Sequence, residues 1–210
     1  MLGFDVAITH PNFGQLVPCT APGCLKEQFQ AYRRGEPYLA KRGIQPRQTF
    51  ETFKAILGTE KALAASKSLA EGDADSCWLL IYGGVGNGKT HLANAVAHRL
   101  NERGIDCRLS TIPDLTASLR QAIKQNNLEE QIEELKNLLA LVLDDFGMEY
   151  GTDWERARIE ELLDSRYRNY RITMMTTNLD LVNLPERILS RFSDTKRSRR
   201  VLNRGGDYRR

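Results

Sequence analysis

Eight consecutive residues constrain the fold of this chain more than any other feature. Residues 83–90 read Gly-Gly-Val-Gly-Asn-Gly-Lys-Thr, the pattern of a phosphate-binding loop. Its glycines let consecutive backbone N–H groups turn inward around a triphosphate, and a helix N-terminus beneath them favours anions. The apolar residues 77–82 predict a buried strand before the loop. Apolar residues on one face of residues 90–103 predict the helix after it, which Gly104 closes.

The loop pattern predicts which residues contact the phosphates and the metal ion. Lys89 is expected to reach the β- and γ-phosphates, and the hydroxyl of Thr90 is expected to hold Mg²⁺. The other predicted nucleotide-binding residues are Gly83, Gly84, Val85, Gly86, Asn87, Gly88 and His91. A glycine-rich turn that binds nothing is the alternative, but Gly-Lys-Thr at this spacing between a strand and a helix favours a nucleotide site. We therefore expect ATP and Mg²⁺ as cofactors.

A pair of carboxylates follows the apolar residues 138–143, which read as a central parallel strand covered on both faces. Asp144 fits the acid that holds Mg²⁺, usually through water. Asp145 then stands where a second carboxylate can orient and deprotonate an attacking water. Because Asp is one methylene shorter than Glu, we expect ATP hydrolysis that is slow or dependent on a partner.

Two further polar positions extend the predicted site. Asn178 follows a predicted strand at residues 171–176, so it should lie at the sheet edge where parallel sheets bind ligands and contact the attacking water or the γ-phosphate. Arg191, in residues 184–192, is our candidate for an arginine that a neighbouring subunit contributes to the transferring phosphoryl group. The alternative is a surface arginine on a short helix.

Strands alternate with helices over most of the chain, which predicts a parallel sheet with helices on both faces. The fold class is thus α/β, a three-layer P-loop NTPase domain over residues 49–210. Residues 1–48 hold most of the seven prolines and show no sustained period, so we interpret them as a short, loosely structured N-terminal segment and linker. The remaining predicted helices are 59–71 (stopped by Gly72), one with Pro113 in its first turn, 128–137 and 154–169, and the remaining predicted strands are 105–110 and 200–203.

Composition and charge indicate the class of protein, its expected cellular location and a possible contact with nucleic acid. The chain has 210 residues, of which 41% are hydrophobic and 27% charged, as in soluble globular proteins. It contains no apolar stretch of membrane-spanning length and no secretory signal, so we expect a cytoplasmic location and no membrane partner. The net charge is +3, yet residues 191–210 alone carry eight Lys/Arg and two Asp. Such a basic stretch can contact nucleic acid or remain a solvated tail.

Together these motifs resemble the AAA+ ATPases of the DnaC/DnaI helicase-loader group and the closely similar IstB transposition helpers. The resemblance covers residues 49–210. The matching segments are residues 49–50 (TF), 83–92 (GGVGNGKTHL), 141–147 (LVLDDFG), 152–154 (TDW), 166–167 (RY), 176–179 (TTNL) and 187–192 (RILSRF). The combination of GKTHL, DDFG and TTN is specific, whereas each motif alone is not.

The resemblance implies that Lys89, Thr90 and Asp144 bind nucleotide and Mg²⁺, with Asp145 as the second acid. It implies that Asn178 senses the γ-phosphate and that Arg191 reaches a neighbour's site in a nucleotide-dependent homo-oligomer. Residues 207–209 are similar to the family's closing motif, in which an arginine senses nucleotide. The implied function is to load or remodel a replicative DNA helicase on single-stranded DNA. The alternative is a transposition helper that acts on duplex DNA with a transposase.

The chain departs from the family pattern in two places. Residues 112–137 correspond to the helices that contribute to single-stranded DNA binding in loaders, but residues 111–137 hold three Lys/Arg against five Asp/Glu. We therefore expect weak DNA binding by this protein alone. The N-terminal segment, which docks onto the helicase in the family, contains only His10, Cys19 and Cys24 as zinc ligands. A closed zinc site needs four, so we expect no metal there.

A small-molecule kinase is an alternative from another class, because it shares the phosphate-binding loop and this size. Such an enzyme needs an acceptor pocket and usually an arginine-rich lid. The sequence contains no lid-like insertion. The two acids followed by Thr-Thr-Asn favour attack by water.

Overall fold

The computed structural model describes residues 35–72, 76–147 and 152–208. Most of the predicted N-terminal segment, with His10, Cys19 and Cys24, lies outside the described residues, as does Arg209 of the closing motif. No helix in the described part of the chain combines the length and the apolar character that a membrane crossing requires.

The described chain forms five parallel strands in the order β2-β3-β4-β1-β5. The strands are β1 (Trp78–Tyr82), β2 (Cys107–Thr111), β3 (Ala140–Asp144), β4 (Ile172–Thr177) and β5 (Ser198–Leu202). The helices are α1 (Glu36–Lys41), α2 (Glu60–Glu71), α3 (Lys89–Glu102), α4 (Ile112–Lys124), α5 (Leu128–Asn137), α6 (Asp153–Arg168) and α7 (Glu186–Ser193), with a 3₁₀ turn at Leu181–Asn183.

Helices cover both faces of this sheet, which confirms the predicted three-layer α/β architecture. Successive side chains of a strand point to opposite faces. Leu79 and Ile81 of β1 accordingly pack in a core with α2 and α3, whereas Trp78 and Leu80 pack in a second core with α4 to α7. All four side chains are at most 1% exposed, so the strand is buried on both sides as its continuous apolar sequence indicated.

Local chemistry explains where the elements begin and end. Gly72 and Gly104 adopt left-handed backbone conformations after α2 and α3, as predicted for helix C-termini. Thr152 and Glu155 form a capping box that starts α6. Helix α7 begins at Glu186, two residues later than predicted, because Leu184 precedes Pro185 and is held extended. Strand β5 begins at Ser198, two residues earlier than predicted, because its parallel pairing with β1 starts there.

Residues 35–48 contact the sheet and the core of α2 and α3 in the described structure. Leu39 and Ile44 are each 1% exposed and belong to the core of α2 and α3. The guanidinium of Arg42 pairs with Asp106 at 2.7 Å. The backbone carbonyl of Arg42 accepts a hydrogen bond of 2.9 Å from the N–H of Leu109 on β2. The predicted domain boundary after residue 48 stays a prediction. These contacts attach the last residues of the predicted N-terminal segment to the sheet edge at β2.

Arg166 is a buried cation that organises the second core. Its side chain is fully buried and donates to the carbonyls of Leu135, Leu138 and Ile172 at 2.7–2.8 Å and to Thr173 Oγ1 at 3.2 Å. Burial lowers the pKa of its guanidinium to about 10. One side chain therefore joins α5, α6 and β4, which gives Arg166 a structural role.

Candidate functional site

The carboxyl ends of β1, β3 and β4 meet at one edge of the sheet, where they surround a cavity of 630 Å³. Parallel sheets bind ligands at this edge. The cavity is lined by Gln48, Thr52, Phe53, Lys54, residues 85–91, Asp145, Thr176, Asn178 and Tyr208. The structure thus brings the predicted loop, the second acid and Asn178 into one space.

The loop between β1 and α3 has the backbone that its glycines allow. Gly86 and Gly88 adopt φ angles of +74° and +86°, where L side chains are strained. A Cβ atom on Gly86 would lie 2.0 Å from Oδ1 of Asp207, so this glycine also permits a close approach by the C-terminal segment. Helix α3 starts at Lys89 directly after the loop, which places its N-terminus beneath the predicted phosphate position.

Lys89 lies inside the loop and is 6% exposed. Its ammonium donates to the carbonyls of Gly83 and Gly84 at 2.8 and 2.5 Å and to Oδ1 of Asn87 at 3.0 Å. Burial lowers its pKa to about 8, although the nearby carboxylates of Asp144 and Asp145 act in the opposite direction. The structure therefore holds one buried ammonium within the loop, hydrogen-bonded to the loop's own oxygens.

Asp144 and Thr90 form the pair predicted to hold Mg²⁺. Asp144 is 4% exposed, accepts a hydrogen bond of 2.5 Å from Thr176 Oγ1 and is also hydrogen-bonded by the hydroxyl of Thr90. Burial raises the pKa of its carboxyl above the usual range. A carboxylate and a hydroxyl side by side are oxygen ligands of the kind that Mg²⁺ takes along with several waters, so these residues fit the ion.

Asp145 and Asn178 contact each other at the cavity wall. The amide Nδ2 of Asn178 donates to Oδ1 of Asp145 at 2.6 Å, and the N–H of Asp145 donates to Thr176 Oγ1 at 3.0 Å. Asp145 is exposed and adopts a left-handed φ of +52°, which Asp tolerates better than most residues. This turn separates the two neighbouring acids, since Asp144 stays buried while Asp145 faces the cavity.

An aromatic wall that the sequence motifs did not predict stands beside the loop. The ring of Phe53 makes edge contacts with His91 at a centroid distance of 5.2 Å and with Tyr208 at 6.1 Å. His91 Nε2 lies 2.8 Å from the carbonyl of Thr49, and the hydroxyl of Tyr208 donates to the carbonyl of Lys54. His91 therefore lines the wall instead of the phosphate cradle. The cavity therefore has a charged side and an aromatic side.

The C-terminal segment closes over the loop. Asn203 and Asn87 exchange two hydrogen bonds, each from one side-chain amide to the other residue's carbonyl, at 2.8 and 2.9 Å. The N–H of Tyr208 donates to the carbonyl of Gly86 at 3.0 Å. The loop motif could not predict Asn203 and Tyr208 as partners, because they lie more than 110 positions away in the sequence.

Arg191 lies outside this cavity. Its guanidinium pairs with Asp164 of α6 at 2.7 Å and donates to the carbonyl of Arg187 at 2.5 Å. It lines a separate open cleft of 600 Å³ between α6 and α7. Within one chain the structure does not bring Arg191 together with the loop, so its predicted role in a neighbouring subunit stays a prediction.

The match to a known family extends over most of the chain. The family model described as IstB-like ATP binding protein matches residues 30–204. The chain belongs to this family. A putative insertion sequence ATP-binding protein of Sinorhizobium fredii is 32% identical to the IstB-like chain over 152 residues, which are 71% of this chain and 51% of that protein. The replicative helicase loader DnaC of Buchnera aphidicola is 30% identical over 142 residues, or 64% of this chain and 58% of that protein.

Solved structures show the same fold. A replication initiator DnaA bound to AMPPCP and single-stranded DNA superposes with a TM-score of 0.68 and 23% identity, over 76% of the IstB-like chain and 50% of that chain. The predicted P-loop AAA+ fold is confirmed by this likeness. The chain is a member of an ATP-binding family with relatives named in helicase loading and in insertion sequences. It spans little more than half the length of the first curated relatives it matches.

Proposed function

We propose that this chain is an ATPase that loads or remodels a replicative DNA helicase on single-stranded DNA. The observation that carries the ATPase part is the hydrogen-bonded pair of Asp145 and Asn178 facing the cavity above Lys89. A carboxylate that is exposed in the cavity and fixed by an amide is suited to orient a water and accept its proton.

The residues divide the reaction between them. The loop amides and Lys89 bind the triphosphate, the aromatic wall of Phe53, His91 and Tyr208 holds the base, and Asp145 deprotonates the attacking water. Asn178 orients that water or the γ-phosphate. Thr90 and Asp144 would hold Mg²⁺, which would supply positive charge to the phosphates. The proton therefore passes from water to a carboxylate oxygen of Asp145, and phosphate leaves with ADP as the other product.

Subunit contact would complete the site. An arginine from a second copy can stabilise the charge of the transferring phosphoryl group, and Arg191 on α7 is the residue that we assign to this role. ATP binding would then favour a homo-oligomer, and hydrolysis would release the partner. We place this activity in the cytoplasm, beside the replicating DNA.

The helicase part is tested by co-purification. Tagged protein is incubated with a candidate replicative helicase, with ATP, ADP or no nucleotide, and with or without single-stranded DNA. We expect the helicase to be retained with ATP and released on hydrolysis, while phosphate release rises when the helicase and DNA are both present. Retention that is equal under all nucleotide conditions would contradict an ATP-dependent loader.

A transposition helper is the second candidate, because the relative from an insertion sequence is 32% identical. This candidate predicts ATP-dependent assembly on duplex DNA and recovery of a transposase instead of a helicase. The same pull-down with duplex DNA and a transposase from the neighbouring genes therefore separates the two proposals.

A further inference from the structure

Strand β5 and the residues that flank it carry basic side chains that the nucleotide site does not use. We call these residues the β5 basic edge: Lys196, Arg197, Arg199, Arg200 and Arg204. We propose that the β5 basic edge, together with Tyr170, binds the backbone and bases of single-stranded DNA. The inference rests on the proposed function in that it assumes a protein that acts on DNA, and it assigns the contact to a different part of the fold from α4 and α5.

Strand β5 leaves this edge open in the described structure. It is the last strand of the sheet and pairs only with β1 among the described residues. Arg199 lies in register with Leu79 and Arg200 with Leu80, whose side chains face opposite layers, so the two exposed guanidinium groups extend on both sides of the edge. A loop contacts each sheet edge through one backbone hydrogen bond: the carbonyl of Arg42 accepts from the N–H of Leu109 on β2, and the N–H of Arg204, beyond the end of β5, donates to the carbonyl of Gly58.

The charges at the edge are available to phosphates. Within residues 35–72, 76–147 and 152–208, Arg197 is the one member of the β5 basic edge in an ion pair, with Asp194 at 3.7 Å. In helices α4 and α5, by contrast, most cations are already paired with carboxylates. Arg120 pairs with Glu155 at 2.6 Å, and Lys136 pairs with Glu133 and Glu161 at 2.8 Å.

Of the three cations in the described α4 and α5, only Lys124 lacks such a pair, and five acids surround them in sequence. Phosphate binding releases condensed counterions only when the protein's cations are free to replace them. The β5 basic edge meets this condition better than the two helices do.

An exposed aromatic ring adjoins the cations. Tyr170 is 59% exposed, and the guanidinium of Arg197 lies 4.1 Å from its ring centroid and also donates to its hydroxyl. Tyr170 directly follows the C-cap of α6 and adopts the left-handed φ of +53° that is common where helices end. The ring and Lys196 line a cleft of 240 Å³. Such a stacked Tyr–Arg pair can be extended by an unpaired base, which single-stranded DNA offers and duplex DNA does not.

Fluorescence anisotropy of a labelled 30-nucleotide oligothymidylate, measured with the full chain and Mg-ATP, tests the assignment. The double variant R199E/R200E should bind at least about tenfold more weakly, and its salt slope should fall by about 1.4 if two phosphate contacts are lost. R199K/R200K, which keeps the charges, should stay within about threefold. Tyr170→Ala should lose about tenfold through stacking, whereas Tyr170→Phe should retain affinity.

The matched control is Lys124→Glu on α4 compared with Arg200→Glu on β5. We expect only the β5 variant to weaken DNA binding, with ATP affinity unchanged in both. Loss of DNA binding by Lys124→Glu alone would overturn the assignment while leaving a DNA-dependent ATPase intact. Equal or tighter binding of a duplex of the same length, or no binding of either DNA by the wild type, would also overturn it. If the wild type binds DNA but does not bind ATP, the result would instead contradict the proposed ATPase.

Discussion

The two sides of the proposed ATPase site differ in how completely one chain builds them. On the loop side, Lys89, Asp144 and Thr176 are at most 6% exposed, and hydrogen bonds lock them to the backbone and to one another. On the arginine side, Arg191 and Arg187 lie along an open cleft and pair with acids of the neighbouring helix.

This difference follows from what each side must do. Groups that bind a triphosphate and orient water must be held in place before the ligand arrives, because reorganisation during the reaction costs rate. An arginine that contributes to another subunit's site must instead be able to leave the carboxylate it pairs with in its own chain and contact the phosphates of that site. Arg191 pairs with Asp164, whose carboxylate is 44% exposed, while the side chain of Arg191 is 15% exposed. The predictions below test this division.

The largest effect is expected on the loop side. Lys89→Ala removes the ammonium that we assign to the phosphates, so ATP binding should weaken about 100-fold or more and hydrolysis should become undetectable. Isothermal titration calorimetry with Mg-ATP and a phosphate-release assay measure the two losses. Lys61→Ala, an exposed cation on α2, is the control that should behave as wild type. Retained turnover in Lys89→Ala would mean that the loop has been assigned wrongly.

Asp145→Asn separates binding from chemistry. The amide keeps the shape and the contact with Asn178 but cannot accept a proton, so hydrolysis should fall by about 10²- to 10⁴-fold while ATP affinity stays within about threefold. Single-turnover phosphate release is the measurement. If hydrolysis continues at the wild-type rate, the general base lies elsewhere.

Arg191→Ala tests the other side. We expect ATP binding to be unchanged and hydrolysis to fall by about 10³-fold, the lower range for a transition-state arginine. Arg187→Ala, one turn away on α7, is the matched control. Mixing Arg191→Ala with Asp145→Asn protein should restore part of the activity, since an intact acid and an intact arginine then meet at some interfaces. An inactive mixture would argue against a shared site.

The smallest effect is a pH dependence of ATP affinity. The pKa of Lys89 is lowered to about 8 in the free protein, and bound phosphates stabilise the charged form. Affinity should therefore be full below pH 8 and decline by up to about tenfold per unit as the pH rises above it. Titrations between pH 7 and 9.5 measure this decline. Lys89→Arg, if it binds, should show none, because a guanidinium stays charged. A wild-type affinity that is constant to pH 9.5 would rule out this titration.

Most of the fold was predictable because it depends on local periodicity. The apolar strands, the helix after the loop and the glycines that end α2 and α3 all appear at the predicted places with shifts of one or two residues. The strand order was not predictable. The two residues of Arg166-Tyr167 resemble a family motif, but the four hydrogen bonds of the buried Arg166 depend on residues from three elements.

For the site, the sequence by itself determined which groups carry the chemistry. A lysine and a threonine after glycines, two acids after a buried strand and an asparagine after the next strand indicate a triphosphate site because each motif ends a parallel strand. Only the tertiary structure decided how these groups meet. The aromatic wall, the Asn87–Asn203 pair and the open edge of β5 join or expose residues far apart in the chain, and such proximity arises from packing and not from local spacing.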